Sequence, residues 1–408
     1  MTTDVVAGDD PRLGDAAVDL TAELVAVDSV NPGLVPGAAG EAEVVRHLAN
    51  RLGATGFEID IVEAPGVVGR PSLLATWRGC RSGRSLVLNG HVDTVGVGAM
   101  PDPFPARIEG DRLTGTLAGR GACDMKAGVA AMVVAAEHAA ATDQAGAIVL
   151  ALVADEENES IGTTAVIDLL RQRGELPSAC IVGEPTWNDV VVAHRGFSVA
   201  EVTLRGRACH SSQPENGTNA VAHLGRLLTR IEAFNAELST RTPHPAAGVG
   251  SLTATVARGG EALFSLGAAA SVFVERRTVP GEPDDQAVRE LEAITAPLHD
   301  DDPAFDASIE LVIARPAWEL DHANPVATDL LASMTTHLTA RASAPPAVRS
   351  APYWMESALW ERAGVPALVC GPAGGGMHRE DEWVELAPVR SYTEALVGVI
   401  AGFCASDR

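Results

Sequence analysis

The chain has 408 residues, room for two domains, and its 46% hydrophobic but only 4% aromatic content calls for a core of Ala, Val and Leu, as in layered helix-and-sheet folds. A formal net charge of -24 argues against nucleic acid and anionic membranes as partners, because phosphates are held by Lys and Arg. No run of eighteen apolar residues is free of charges and glycines, so no membrane span is expected. The first ten residues, Met1 to Asp10, are acidic and carry no apolar run, which predicts no signal peptide. Cys80, Cys123, Cys180, Cys209, Cys370 and Cys404 form no CxxC pair and read as buried thiols of a reducing compartment. A cytoplasmic protein is expected.

Apolar positions at helical spacing run from Pro11 to Val27, and Ser29 to Gly33 stop that helix. A second amphipathic helix spans Glu41–Leu52. Phe57–Val62 and Ser72–Trp77 read as strands. Ser85–Leu88 is a further strand that ends at Asn89-Gly90 and delivers His91 and Asp93. In extended geometry those two side chains leave on one face. A metal-bound imidazole usually gives its other ring N–H to a carboxylate, and Asp93 suits that task. The alternative is a strand-end pair that merely solvates a loop. Glycines from Gly119 to Gly128 surround Asp124, and an Ala-rich helix follows from about Met125 to Ala141. Glycines there let backbone pass close to something bound. Asp124 also stands where helix capping alone would explain it.

Ala147–Val153 is a continuous apolar strand running into Asp155, Glu156 and Glu157, and Cys180–Val182 is another running into Glu184. Three times an apolar strand ends where acidic or His residues begin, the place where open α/β sheets form their sites. From Phe197 the pattern changes. Strands at Phe197–Leu204, Ser251–Val256, Ser271–Val274 and Ser308–Ile313 alternate with helices at Asn219–Leu238 and Pro283–Leu298. That is the split βαβ order of a ferredoxin-like unit. Beyond it, helices at Pro325–Leu338, Met355–Ala363 and Val389–Phe403 bracket a buried strand, Ala367–Cys370, that leads through a glycine-rich loop to His378.

His91, Asp124, Glu156, Glu157, Glu184 and His378 therefore stand at strand ends or glycine-rich loops. Imidazole and carboxylate donors without thiolate suit zinc, cobalt or manganese. Two metals about 3.5–4 Å apart that share a carboxylate can polarise a carbonyl and activate water. A carboxylate left uncoordinated would take the water proton and hand it to a leaving amine. Glu156 and Glu157 point to opposite sides of an extended chain and could divide those tasks.

Seven stretches now match one family in order and spacing. They begin at His91, Gly119, Asp155, Gly183, Gly206, Arg277 and Met377. The chain resembles the co-catalytic dizinc amidohydrolases and peptidases of the M20 type. That family includes acetylornithine deacetylase, succinyl-diaminopimelate desuccinylase, aminoacylase and glutamate carboxypeptidase. The resemblance implies a three-layer α/β/α catalytic domain with a mixed sheet, phosphorylase/hydrolase-like, at 1–193 and 315–408. An inserted ferredoxin-like α+β lid and dimerisation domain is implied at 194–314. It implies two divalent ions per chain, zinc foremost, with cobalt or manganese as alternatives. Asp124 would bridge them, His91 and Glu184 would complete one site, and Glu157 and His378 the other. Glu156 would be the general base and acid, with Asp93 behind His91. His210 would steady the tetrahedral oxyanion in the partner subunit of a homodimer, and Arg277 and Asn219 would bind substrate. For His210 the alternative is a surface residue beside a turn, and for Arg277 a strand-end salt bridge.

The chain departs from the family at Glu275, where Asp is common before Arg277, and at Met355-Glu356-Ser357, which replaces the usual Thr-Asp or Ser-Asp before the last helix. Cys123 and Cys209 beside Asp124 and His210 read as buried apolar thiols. Carbamoyl-type relatives usually carry His where Glu184 stands, so Glu184 favours the deacylase and desuccinylase branch. The expected activity is removal of an acyl group from an N-acyl amino acid. The alternatives are a dipeptidase or glutamate-type carboxypeptidase acting on dipeptide-like substrates, or an inactive relative serving as a binding protein. No ligand position has been lost, which disfavours the last.

Overall fold

The apolar runs expected as strands lie side by side in a computed structural model, which describes residues 11–142, 144–342 and 344–406. The expectation for Met1 to Asp10 lies outside the described residues. Contacts gather the chain into two units. One holds the residues up to Val192, Leu320–Arg349 and those from Met355; the other holds Ala193–Glu319 and Ser350–Trp354.

The first unit is built on a mixed sheet in the order Glu58–Val62, Ser72–Arg78, Ala145–Val153, Arg81–His91, Ala179–Val182, Ala367–Val369, Val190–His194. Its centre is parallel: Arg81–His91 pairs in parallel with both Ala145–Val153 and Ala179–Val182. These central strands are covered on both faces, which is why they read as unbroken apolar runs. Alternation along Arg81–His91 shows what covers each face. On the Gly90 face an added Cβ would come within 2.7 Å of the Met125 methyl and 2.8 Å of the Met132 methyl, so Met125 and the Ala127–Ala140 helix cover this face and a side chain here would have to displace those methyl groups. The next side chain back, Asn89, accepts instead from the Trp360 indole at 3.0 Å, in the Ser357–Arg362 helix. Pro11–Val25, Ala127–Ala140 and Leu386–Cys404 pack on one another along the first face. Ala127–Ala140 is buried along almost its whole length, as a helix apolar all round must be. The result is the three-layer mixed α/β architecture expected.

Several elements differ from expectation. Helix Ile161–Arg173 was not foreseen; its β-branched Thr163, Thr164, Val166 and Ile167 dilute the helical signal, and Gly174 ends it at φ +68°. Nor were Arg107–Glu109, Thr116–Ala118 and Trp383–Glu385, three-residue strands of a small antiparallel sheet. The helix expected from Met125 begins at Ala127. Cys80 is exposed and Cys209 half-buried, against the expectation of six buried thiols; none of the six is in a disulfide.

The second unit carries the ferredoxin-like order. Gly196–Arg205, Ala220–Leu238, Ser251–Gly259, Ala269–Thr278, Gln286–Asp301 and Asp306–Arg315 follow one another. The sheet runs Ser251–Gly259, Ala269–Thr278, Gly196–Arg205, Asp306–Arg315, every pair antiparallel. Ala200, Val202 and Leu204 bury against Leu224, Leu227 and Leu291 of the two helices. Phe197 and Val199 lie on the other, half-covered face. Among the described residues of the chain no helix is long and apolar enough to cross a membrane.

Candidate metal centre

Each half of the first unit's acidic cluster is fixed by the local chain. His91 is the last residue of the central strand and is 1% exposed. Its Nδ1 faces the Asp93 carbonyl oxygen at 3.0 Å, and the Asp93 carboxylate stands farther off at 3.6 Å. The carbonyl is thus the nearer acceptor, where a carboxylate was expected. The carboxylate serves another purpose. It accepts from Asn31 Nδ2 at 2.8 Å, from the Glu156 N–H at 3.1 Å and from the Glu157 N–H at 3.3 Å. Asp93 therefore links the strand end that carries His91 to the turn that carries both glutamates. That turn starts at Asp155, whose φ of +70° is a left-handed conformation Asp tolerates better than most residues. Its carbonyl takes the N–H groups of Asn158, Glu159 and Ser160.

Asp124 sits in the distorted turn Ala122–Lys126 with φ -115° and ψ 94°. It caps nothing: the residue preceding the Ala127–Ala140 helix is Lys126. One Asp124 oxygen, Oδ1, lies 3.1 Å from His91 Nε2; the other, Oδ2, lies 3.2 Å from His378 Nε2. Glu184 Oε1 is 3.6 Å from His91 Nε2, and Glu157 Oε2 is 3.1 Å from His378 Nε2. His378 comes from the glycine-rich loop in a left-handed conformation, φ +63°. Donor atoms of His91, Asp124 and Glu157 lie within 4.8 Å of one another, and so do those of His91, Glu156 and Glu184. Glu156 is therefore within reach of the same space as Glu184.

Charge in this cluster is unbalanced. Burial, with neighbouring carboxylates adding to it, pushes Glu156 and Glu184 well above the usual carboxylate range, and burial raises Glu157 as well. Burial also acts on Asp124, but its bonds to His378 and His91 outweigh it and hold Asp124 low. His378 is raised to about 10 by its bonds to Asp124 and Glu157. Crowded carboxylates with only two imidazoles among them want positive charge. Glu157 Oε1 is buried with no hydrogen-bond partner, an atom a cation would satisfy. Both observations fit a metal centre that includes His91, Asp124, Glu157 and Glu184.

The other expected residues lie in the second unit. His210 is exposed, and its Nδ1 accepts from the Ser212 N–H at 3.2 Å and lies 2.7 Å from Ser212 Oγ. An accepting Nδ1 puts the neutral ring's proton on Nε2. Arg277 pairs with Glu275 and lies over the Phe197 ring, 5.3 Å from its centroid, so the salt-bridge alternative describes its contacts here. Asn219 caps the Ala220–Leu238 helix, accepting from the Val221 N–H at 3.1 Å.

Sequence reasoning missed the frame behind the turn. Arg70 reaches Glu41 at 2.6 Å, Asp155 at 2.9 Å and Asn31 at 3.0 Å, and Asn31 bonds both Asp93 and Asp155. In the sequence Asn31 marks only a helix stop; the bridge of Val30 to Thr94 and the bond of the Asn31 N–H to the Thr94 carbonyl bring it here. Glu356, at the noted departure, is buried, and burial raises it to about 7. Lys126, the single lysine of the chain, is 1% exposed and donates to the Val27 carbonyl at 2.8 Å; burial pulls it down to about 8.

Comparison with known proteins accords with this geometry. A succinyl-diaminopimelate desuccinylase of Cereibacter sphaeroides is 32% identical over 387 residues, covering 91% of this chain and 94% of that one. An acetylornithine deacetylase of Myxococcus xanthus is 31% identical over 402 residues, 94% and 96% of the two chains. The crystal structure of the aminopeptidase PepT from Bacillus cereus superposes with a TM-score of 0.75 at 16% identity, covering 95% of this chain and 98% of that one, a likeness of fold. Residues 87–402 match peptidase family M20/M25/M40, a span that takes in every residue of the His91–Asp124–His378 cluster, and the chain is a hydrolase belonging to that family.

Proposed function

We propose that the chain is a metal-dependent amide-bond hydrolase that removes an acyl group from an N-acyl amino acid. The observation that carries this reading is the placing of Asp124, whose two oxygens face two different imidazoles at 3.1 and 3.2 Å. Asp124 would be shared by two divalent ions, zinc, cobalt or manganese, with His91 and Glu184 holding one and Glu157 and His378 the other. Such ions, when bound, polarise a carbonyl and lower the pKa of water. Glu156 would take the proton of the attacking water as the water oxygen bonds to the acyl carbon. The same carboxyl would return that proton to the nitrogen as the carbon–nitrogen bond breaks, leaving a carboxylic acid and a free amine. Its N–H bond to Asp93 holds the Glu156 backbone to the His91 segment. His210 Nε2–H would donate to the oxyanion developing in the other subunit of a homodimer, and Arg277, released from Glu275, would meet the substrate carboxylate with two parallel bonds. The named relatives, a desuccinylase and a deacetylase, support an acyl group as the part removed.

The second unit we read as a lid and dimerisation domain across 194–314. Its Asp306–Arg315 strand is a sheet edge with Leu311 45% and Val312 53% exposed, a row that a second copy would cover. Six cysteines with no disulfide among them support a reducing, cytoplasmic setting. Light scattering at micromolar concentration tests the dimer. A panel of N-acetyl, N-succinyl and N-formyl amino acids and of dipeptides, assayed with zinc or cobalt, tests the activity. Cleavage of the N-acyl amino acids with loss on chelation is expected; turnover unaffected by metal removal would reject the reading.

A further inference from the structure

Besides Asp93, which bonds the Glu157 N–H, a second buried carboxylate outside the cluster touches the backbone of a proposed ligand. Glu382 is 2% exposed and has every acceptor direction filled. Its Oε1 accepts from the N–H groups of Cys123 and Asp124, both at 3.0 Å. Its Oε2 accepts from the Gly121 N–H at 2.9 Å and from Arg120 Nη1 at 2.6 Å. The other arm of the guanidinium, Nη2, donates to the Arg379 carbonyl at 2.8 Å, one residue past His378. The Gly119 N–H bonds the Glu382 carbonyl at 3.1 Å, and the adjoining strands continue the zip, Trp383 opposite Ala118. The segment carrying Asp124 and the segment carrying His378 are thus joined by the backbone zip and by an ion pair between residues 262 apart that is nearly absent from solvent, at 2% and 1% exposure.

We propose that Arg120 and Glu382 are positioning residues for the metal centre: their ion pair fixes the Asp124 and His378 segments against each other and so sets the spacing of the two ligands. The inference rests on the two-metal reading above. A surface pair contributes little to such spacing, but a buried one whose carboxylate has both oxygens bonded twice has little slack to give up. In Glu382→Gln the amide nitrogen would face the Gly121 N–H and the Arg120 guanidinium, donor against donor. In Glu382→Asp charge and chemistry stay, but the carboxylate falls short of the turn by a methylene. In Arg120→Lys a single nitrogen replaces the two-armed fork that reaches Glu382 and Arg379 separately, so one of those two bonds is lost or lengthened.

The test is cobalt titration of the metal-stripped full chain, followed by calorimetry and by the visible absorption of bound cobalt, which reports ligand geometry. Glu137→Gln, which breaks the Arg51–Glu137 pair remote from the cluster, is the control for lost ion pairing alone. Glu382→Asp and Arg120→Lys should weaken cobalt binding by about 10–100-fold, the usual cost of disturbing groups behind metal ligands, and shift the absorption band. Glu137→Gln should do neither. If Glu382→Gln fails to fold, the Asp and Lys variants carry the result. Wild-type affinity and spectrum in both of those would overturn the positioning role. Wild-type protein that takes up no cobalt would instead overturn the metal centre, and the positioning role with it.

Discussion

His91 enters the acidic cluster from the end of a buried central strand, while His378 enters it from a glycine-rich loop. The His91 side chain is 0% exposed and the His378 side chain 56%. Behind His91 stand Asp93, Asn31, Asp155, Arg70 and Glu41, each bonded to the next. Around His378 the nearby charged side chains, Arg379 and Asp381, pair at 73% and 65% exposure, in water. One side of the site is therefore organised before any ligand arrives, and the other depends on its backbone tether. On the two-ion reading, Asp124 would be shared between a position framed by buried side chains and one whose imidazole stands half in solvent. The two sides should respond differently to substitution.

The largest contrast is in metal content. On the two-ion reading, Asp124→Ala should lose both equivalents and all measurable turnover, whereas His378→Ala should lose one equivalent and keep the ion at His91 and Glu184. Metal analysis after dialysis checks this, and loss of both ions in His378→Ala would erase the distinction between the sides. Next, Glu156→Gln should keep both ions and lower kcat by about 10²–10⁴, the range for a general base. Turnover within a few-fold of wild type would assign the proton to another group. Third, Arg70→Met leaves Glu41 and Asp155 buried and unpaired, which should cost about 3–5 kcal/mol in denaturant unfolding of the metal-free protein. A cost below about 1 kcal/mol, the scale of an exposed pair, would show the frame behind His91 to be soft. The smallest effect belongs to the open side: Arg379→Ala removes an exposed pair and should change stability by only about 0–1 kcal/mol.

Much of this was legible in the residues. Apolar runs that stop at His91, at Asp155 and ahead of Glu184 located the site, because a strand buried on both faces cannot hide in a sequence. The split βαβ order of the second unit was legible for a similar reason, since its helices and strands have clean periods. The Arg70 frame was not. Its members lie at 31, 41, 70, 93 and 155, and nothing local marks an arginine that folding carries to three distant acceptors. Asn31 carried a signal that pointed elsewhere, since Asn before Pro reads as a helix stop. The Glu382 brace hangs on strands of three residues, too short to show alternation. Arg277 shows the opposite limit: a motif proposes a substrate contact, and in the structure the side chain spends its charge on Glu275.

The lone lysine has a use outside catalysis. Every other basic side chain apart from histidine is arginine, so Lys126 is the only ε-amine an acylating reagent can find in these 408 residues. It is buried two residues from Asp124 and tied to Val27. Acylation of Lys126 by an N-hydroxysuccinimide ester therefore requires the Ala122–Lys126 turn to open, and the rate of that modification, located by peptide mass spectrometry, is a clock for the opening of this one turn in a chain with no other ε-amine.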